Sequence, residues 1–146
     1  MSVVPGRTER RVFVDSSAYL ALLDRRDGHH DEAVQVLRAL ADERARQFTT
    51  NVILMEAHSL ILSTGGIRAG HAFLRSTGAS NTTIVRVRAS DEARAREIVY
   101  QYDDKDFSLV DAISFTVMER LDISRAFTFD RHFVQFGFSI VRPSRT

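Results

Sequence analysis

Apolar residues occur along this chain in two alternating patterns. Short continuous apolar runs such as Val12-Phe13-Val14 are typical of strands that are covered on both faces of a sheet. Longer segments, such as the one that contains Ala33 and Leu37, repeat apolar residues at helical spacing. The first pattern predicts strands at residues 11–15, 47–50, 82–87, 126–129 and 138–141. The second predicts helices at residues 16–25, 31–46, 51–63, 67–77, 91–102 and 108–121.

Strands that alternate with helices need crossover connections and therefore favour a mainly parallel sheet. We expect an α/β fold, a three-layer α/β/α sandwich whose sheet has about five short strands. The length of 146 residues suits one domain, which we place at residues 11–146 after an N-terminal extension at residues 1–10. Ligands of such sheets bind beyond the carboxyl ends of the strands, which is where candidate chemistry is expected.

The predicted helices differ in how they are capped and covered. Asn51 and Ser90 are positioned to cap the third and fifth helices. The last helix, which starts at Ser108, is largely apolar all round and is therefore expected in the core. Helices 31–46 and 67–77 carry more apolar surface than a small sheet can cover, which favours association with a second copy of the chain.

The composition excludes several classes of site. Cysteine is absent, so a disulfide framework, a cysteine nucleophile, a thiolate zinc site and an iron–sulfur cluster are excluded. No run approaches about 18 apolar residues, and the first residues lack the apolar region of a signal peptide. We therefore expect a cytoplasmic protein with no membrane span. The net charge of +1 favours no particular partner.

Acidic residues are the main candidates for chemistry. The chain lacks the glycine-rich fingerprints of dinucleotide and P-loop sites, the G-x-S-x-G elbow and the H-E-x-x-H zinc pair. Asp15 ends the first strand and Asp130 ends the fourth. Asp111 lies one turn into the last helix, and Glu56 lies in the second turn of the helix after the second strand. Parallel strands share one carboxyl edge, so the topology can bring the four acids together.

Each acid has an ordinary structural explanation when it is taken alone. Asp15 fits a helix cap, and Asp111 fits a capping box with Ser108. Asp130 fits a turn, and Glu56 fits a solvated helix face. As a group they are harder to explain, because two carboxylates about 4 Å apart repel by roughly 4 kcal/mol whereas a cap contributes about 1 kcal/mol. Four converging acids therefore indicate a cation, and oxygen ligands favour Mg²⁺ or Mn²⁺ over zinc, as in sites that activate water and bind phosphate oxygens.

Four stretches of the sequence resemble one family. They are residues 12–20 (VFVDSSAYL), 50–56 (TNVILME), 106–112 (DFSLVDA) and 128–133 (TFDRHF). In this order and at these spacings they are similar to the PIN-domain ribonucleases, specifically the VapC-type toxins of bacterial toxin–antitoxin pairs. The resemblance implies Mg²⁺-dependent endonucleolytic cleavage of RNA, a homodimer and inhibition by a cognate antitoxin protein. The family's acids fall on Asp15, Glu56, Asp111 and Asp130.

This interpretation assigns a role to each acid. We expect Asp15 and Asp111 to ligate the metal directly, and Asp130 to ligate it directly or through water, since Mg²⁺ tends to keep several waters. Glu56 is expected to orient or deprotonate the attacking water, or to hold a second metal ion.

Neighbouring polar residues have supporting interpretations. Ser16 and Thr128 could hydrogen-bond the carboxylates or a water at the metal, and they also fit ordinary strand-end hydroxyls. Arg131 and His132 follow the last acid and could meet an RNA phosphate, although His132 is better explained as a structural turn residue. Asp106 is either an extra acid at the rim or an exposed loop carboxylate that complements a helix dipole.

Three other classes of protein stay open. A non-catalytic PIN-like RNA-binding or interaction module usually lacks one acid, and this chain keeps all four. A receiver-type phosphoacceptor domain needs a lysine late in the chain, whereas the sole lysine, Lys105, lies in a loop before a helix. A haloacid-dehalogenase-type phosphatase needs Asp-x-Asp after the first strand, where Ser16 and Ser17 follow Asp15.

Overall fold

Residues 10–143 are described by the structure, which is a computed structural model. They form five strands: β1 Arg11–Val14, β2 Arg46–Thr50, β3 Thr83–Val85, β4 Arg125–Phe127 and β5 Ser139–Ile140. They form seven helices: α1 Ser16–Leu23, α2 His30–Asp42, α3 Asn51–Gly65, α4 Ile67–Ala79, α5 Ala89–Gln101, α6 Leu109–Arg120 and α7 His132–Phe136. Most of the expected N-terminal extension, residues 1–9, and the end of the expected domain, residues 144–146, lie outside the described residues.

The strands form one parallel sheet in the order β3-β2-β1-β4-β5. The central strand β1 pairs with β2 and β4, so that Phe13 lies opposite Phe48 on one side and Ala126 on the other. The strand order reverses between β1 and β4, the position at which open parallel sheets bind ligands. The predicted α/β sandwich with a parallel sheet is confirmed. Its order differs from the 2-1-3-4-5 order typical of receiver-type domains.

Side chains of β1 alternate between two layers of helices, as the period of a strand requires. Val12 and Val14 pack with α1 and α2, where Leu40 is also buried. Phe13 points the other way, into the main core that contains α6. Residues 112–118 of α6 are all buried, in agreement with the prediction that this helix lies in the core. The two layers hold β1 rigidly, and with it the residues that follow its carboxyl end.

Two helix ends next to β2 differ from the sequence predictions. α2 ends at Asp42 rather than near residue 46, because Arg44 adopts a left-handed conformation with φ 56° before the chain enters β2. Thr50, not Asn51, caps α3, since Thr50 Oγ1 accepts a hydrogen bond from Ile53 N at 3.0 Å. The side chain of Asn51 therefore does not cap the helix, and its Oδ1 accepts a hydrogen bond from Val87 N instead.

Two further corrections concern α5 and α7. α5 begins at Ala89, so Ser90 lies inside the helix and is not its cap. Asp91 contributes to this helix end by accepting a hydrogen bond from Arg88 N at 2.9 Å. The five-residue helix α7 is absent from the sequence prediction, because so short a segment cannot show a helical period. None of the helices between residues 10 and 143 combines the length and the apolar composition that a membrane span requires.

Candidate active site

Asp15 lies at the carboxyl end of β1, and its side chain is buried with 4% exposure. Ser17 Oγ and Thr128 Oγ1 each donate a hydrogen bond to Asp15 Oδ2 at 2.9 Å. Burial raises the pKa of Asp15 from 3.8 to about 6, although the two hydroxyl donors lower it and the charge of Asp111 adds a smaller increase. Asp15 occupies the N-cap position of α1 without a capping hydrogen bond from its side chain, so the explanation of Asp15 as a cap is wrong.

Thr128 connects the ends of β1 and β4. Its Oγ1 accepts a hydrogen bond from Asp130 N at 3.0 Å while it donates to Asp15. Ser17 Oγ reinforces the connection by accepting from Phe129 N at 3.0 Å. These bonds place Asp130 beside Asp15 at the point where the strand order reverses.

Asp111 makes the capping box that its sequence context predicts. Asp111 N donates to Ser108 Oγ at 3.0 Å, and Ser108 N donates to Asp111 Oδ2 at 3.1 Å. The same oxygen also contacts His132 Nδ1 at 2.8 Å. Asp111 therefore both caps α6 and belongs to the acidic group, because one carboxylate oxygen can accept more than one hydrogen bond.

His132 begins α7, and its backbone N–H donates a hydrogen bond to Asp130 Oδ1 at 2.9 Å, in line with its interpretation as a structural residue of this turn, while its ring contacts three acids. Its Nδ1 lies 2.8 Å from Asp111 and 3.3 Å from Asp130, and its Nε2 lies 2.9 Å from Asp106. Partial burial lowers the pKa of His132, but the hydrogen bonds to Asp111 and Asp106 and the nearby charge of Asp130 outweigh it and raise the pKa above 6.5. The contact with His132 Nε2 places Asp106 at the rim of the acidic group.

Glu56 extends from α3 to the first residue of α1. Ser16 Oγ donates a hydrogen bond to Glu56 Oε1 at 2.5 Å, and Glu56 is half-buried. Within residues 10–143, no hydrogen bond or ion pair joins Glu56 to Asp15, Asp111 or Asp130. The structure therefore groups Asp111 and Asp130 closely and links Asp15 to Asp130 through Thr128. Glu56 contacts Ser16, the residue that follows Asp15.

The donor set fits a divalent cation. One carboxylate oxygen each from Asp111 and Asp130 and a ring nitrogen of His132 lie within 4.8 Å of one another. Asp15 adds a buried carboxylate that has no arginine or lysine partner in the described part of the chain. Carboxylate oxygens are the ligands that Mg²⁺ and Mn²⁺ prefer, whereas an imidazole ligand also suits other metals.

Comparison with known proteins identifies the family. Residues 12–139 match the sequence profile of the PIN domain. This chain belongs to the PIN-domain family. The 23S rRNA-specific endonuclease VapC20 of Mycobacterium tuberculosis is 35% identical over 136 residues, which cover 90% of this chain and 98% of that protein. The crystal structure of VapC20, described as a sarcin–ricin loop cleaving toxin, matches with a TM-score of 0.83 and 33% identity, covering 90% of this chain and 99% of that chain.

A second solved structure supports the fold alone. A toxin–antitoxin complex from Klebsiella pneumoniae matches with a TM-score of 0.64 and 17% identity, covering 92% of this chain and 99% of that chain. The predicted membership of the VapC-type PIN-domain ribonucleases is confirmed by the family match and by VapC20, and with it the enzyme class of nuclease. The receiver and phosphatase alternatives are excluded.

Sequence analysis missed two contributors to this PIN-domain site. Ser17 bonds Asp15 and Phe129, and its position two residues after an aspartate was a usable signal, since hydroxyl side chains often bond such neighbours. The contact of His132 with Asp106 spans 26 positions and had no local signal. Arg131 is exposed and forms no ion pair with another described residue.

Proposed function

We propose that this PIN domain is a metal-dependent endoribonuclease and the toxin of a toxin–antitoxin pair, which hydrolyses RNA phosphodiester bonds in the cytoplasm. The observation that carries the proposal is the state of Asp15. Its carboxylate is buried beside Asp111 without an arginine or lysine partner among residues 10–143, and burial raises its pKa to about 6. A carboxylate that is this costly to ionise is typical of a functional site, and a bound cation would stabilise its charged form.

The metal in this proposal is Mg²⁺, with Mn²⁺ as a substitute. Asp15, Asp111 and Asp130 would hold it, with Glu56 as a further ligand of the site or of a second ion. When bound, the cation would activate water and neutralise charge on the phosphate oxygens.

The side chains around the acids then have distinct tasks. Ser17 and Thr128 hold Oδ2 of Asp15 and so orient that carboxylate. Ser16 holds Oε1 of Glu56, whose other oxygen is the proposed acceptor for the proton of the attacking water. Arg131 is exposed beside Asp130 and is the proposed contact for an RNA phosphate.

The test is an RNA cleavage assay with the purified chain. The first substrate is an RNA hairpin with the sarcin–ricin loop of 23S rRNA, because the 35% identical VapC20 is named for that target. Cleavage is expected with Mg²⁺ or Mn²⁺ and is expected to stop in EDTA. Asp15→Asn should lower the cleavage rate by orders of magnitude, whereas Asp42→Asn on the exposed end of α2 should not. Full activity in excess EDTA would refute the mechanism.

The proposed partners are a cognate antitoxin protein and a second copy of this chain. An apolar groove of about 710 Å³ between α1, α2 and α4, with Leu22, Val34 and Leu37 in its walls, supports an apolar partner segment. Ile67 on α4 is 67% exposed, in line with the surplus apolar surface expected for that helix. Light scattering at micromolar concentration should report a dimer, and a monomer with and without antitoxin would contradict this part of the proposal.

A further inference from the structure

The segment that leaves β3, two strands away from β1, presents a cationic edge. Val85 and Val87 pack against the main core, so the alternation of an extended chain sends Ile84, Arg86 and Arg88 the other way. Asn51 Oδ1 accepts a hydrogen bond from Val87 N at 2.9 Å and thereby ties this segment to the first residue of α3. The two arginines therefore lie at the same carboxyl edge of the sheet as the acids.

A depression of about 270 Å³ adjoins this edge. Its apolar walls are Leu54, Met55, Leu74 and Ile84, and its polar groups come from Asn51, His58 and Arg86. Met55 is 65% exposed, and it directly precedes Glu56 in α3. The depression therefore borders the helix that carries one of the proposed catalytic acids.

Arg86 is an available cation. It is exposed, and its side chain makes neither an ion pair nor a hydrogen bond with any of residues 10–143. A guanidinium matches a phosphate bidentately, and RNA that approaches a group of carboxylates needs compensating positive charge nearby. Arg86 supplies this charge on the β3 side of the site, opposite Arg131 on the β4 side.

We propose that the depression binds an unstacked RNA base next to the cleaved bond and that Arg86 binds the phosphate of the same nucleotide. This inference rests on the proposed ribonuclease function and adds a substrate subsite to it. Single-stranded loops are where RNA offers splayed bases, which apolar side chains and guanidinium groups then cover. The subsite is suited to a looped RNA rather than a continuous duplex.

A second copy of this chain is a poorer occupant of the depression. A two-fold interface centred there would bring the two copies of Arg86 towards each other. The residues that line the depression include no acid that could separate these like charges. A phosphate supplies the opposite charge directly.

The first test measures binding of the labelled RNA hairpin to the full chain in EDTA, where the proposed cleavage is off. Arg86→Ala should weaken binding about fivefold near 0.1 M salt and lower the slope of log K against log salt by about 0.7, the value for one single-strand phosphate contact. Arg86→Lys should keep most of the salt slope. The matched control Arg38→Ala, on exposed α2 across the sheet, should change neither quantity. An unchanged salt slope in Arg86→Ala would overturn the assignment.

The second test locates the base. In an RNA series with one abasic position at a time, one position should weaken binding to the wild type about threefold or more. The same abasic position should cost nothing further in Met55→Ser, whereas Tyr100→Ser, at an exposed position of α5, should behave as the wild type. If the abasic position weakens RNA binding equally in the wild type and in Met55→Ser, the proposed base subsite is refuted. A dimer that becomes monomeric in Met55→Ser would assign the depression to a second copy instead.

The two proposals fail in different ways. If the wild type shows no metal-dependent cleavage of RNA, both the proposed ribonuclease function and the proposed subsite are refuted. Metal-dependent cleavage in the wild type with an unchanged KM in Arg86→Ala removes only the subsite. Unfolding midpoints equal to that of the wild type show that each surface variant is folded.

Discussion

Replacing Asp15 with asparagine should stabilise the metal-free protein near neutral pH while it abolishes RNA cleavage. Burial raises the pKa of Asp15 from 3.8 to about 6. At about 1.36 kcal/mol for each pKa unit, the ionised side chain lowers the free energy of unfolding by about 3 kcal/mol at pH 8. Asparagine removes this charge and keeps the size of the side chain.

Hydrogen bonding offsets part of the gain. Ser17 and Thr128 both donate to Oδ2, and the amide oxygen of asparagine can accept both bonds. The N–H of Ser16 also donates a hydrogen bond to the carboxylate of Asp15. In Asp15→Asn this N–H faces the amide nitrogen, which cannot accept, and the lost bond costs about 1 kcal/mol. The net gain expected for Asp15→Asn at pH 8 is about 2 kcal/mol, or a rise of about 6 °C in Tm.

The sign of the pH dependence follows from the raised pKa. Because the pKa of Asp15 is higher in the folded than in the unfolded state, the folded wild type binds more protons between pH 3.8 and about 6. The wild type should therefore lose stability relative to Asp15→Asn as the pH rises through this window. Below this window the variant should be about 1 kcal/mol less stable than the wild type, because only the loss of the Ser16 hydrogen bond is left, and above it the advantage of the variant should be constant.

Urea denaturation followed by circular dichroism in EDTA, at several values between pH 4 and pH 8, measures this difference. Asp42→Asn, which changes an exposed acid of α2, should follow the wild type. Added Mg²⁺ should raise the midpoint of the wild type more than that of Asp15→Asn, since a ligand stabilises by its binding. A less stable Asp15→Asn at pH 8, or a difference that ignores pH, would refute the electrostatic reasoning. Near-normal cleavage by the folded variant would refute the nuclease role of Asp15.

Three further substitutions test the network and the core. The raised pKa of His132 stabilises the folded wild type below about pH 6.5, and this stability is lost as the pH rises through the pKa of the folded state. His132→Gln should therefore have a lower urea midpoint than the wild type at acidic pH, and the difference should shrink at alkaline pH. Arg120→Ala leaves the buried carboxylate of Asp91 without its two hydrogen bonds of 3.0 and 2.9 Å, and it should lower the free energy of unfolding by about 3 kcal/mol in urea, with partial recovery in Arg120→Lys. Phe115→Ala should cost about 3–5 kcal/mol by the same assay, because Phe115 is fully buried and its ring centroid lies 5.0 Å from that of Phe133; a loss below about 1 kcal/mol would contradict the assigned packing.

Much of the fold is a local property of this sequence. The period of the apolar residues reports which face of each segment is covered, so the five strands and six longer helices could be read from the chain, as could the burial of α6. The acids at the strand ends follow from the same pattern, because parallel strands share one carboxyl edge. The period says nothing about which strand lies beside which, so the order of the sheet could not be predicted in this way.

Tertiary packing alone decided the chemistry of the individual side chains. The raised pKa of Asp15 depends on burial and on Thr128, a neighbour 113 positions away. Asn51 bonds to Val87 N rather than capping α3, because packing brings β3 beside β2 and Thr50 already fills the cap. His132 joins three acids only because α7 lies against the start of α6. Sequence patterns encode exposure along one element, whereas desolvation and hydrogen bonding depend on atoms that distant parts of the chain bring together.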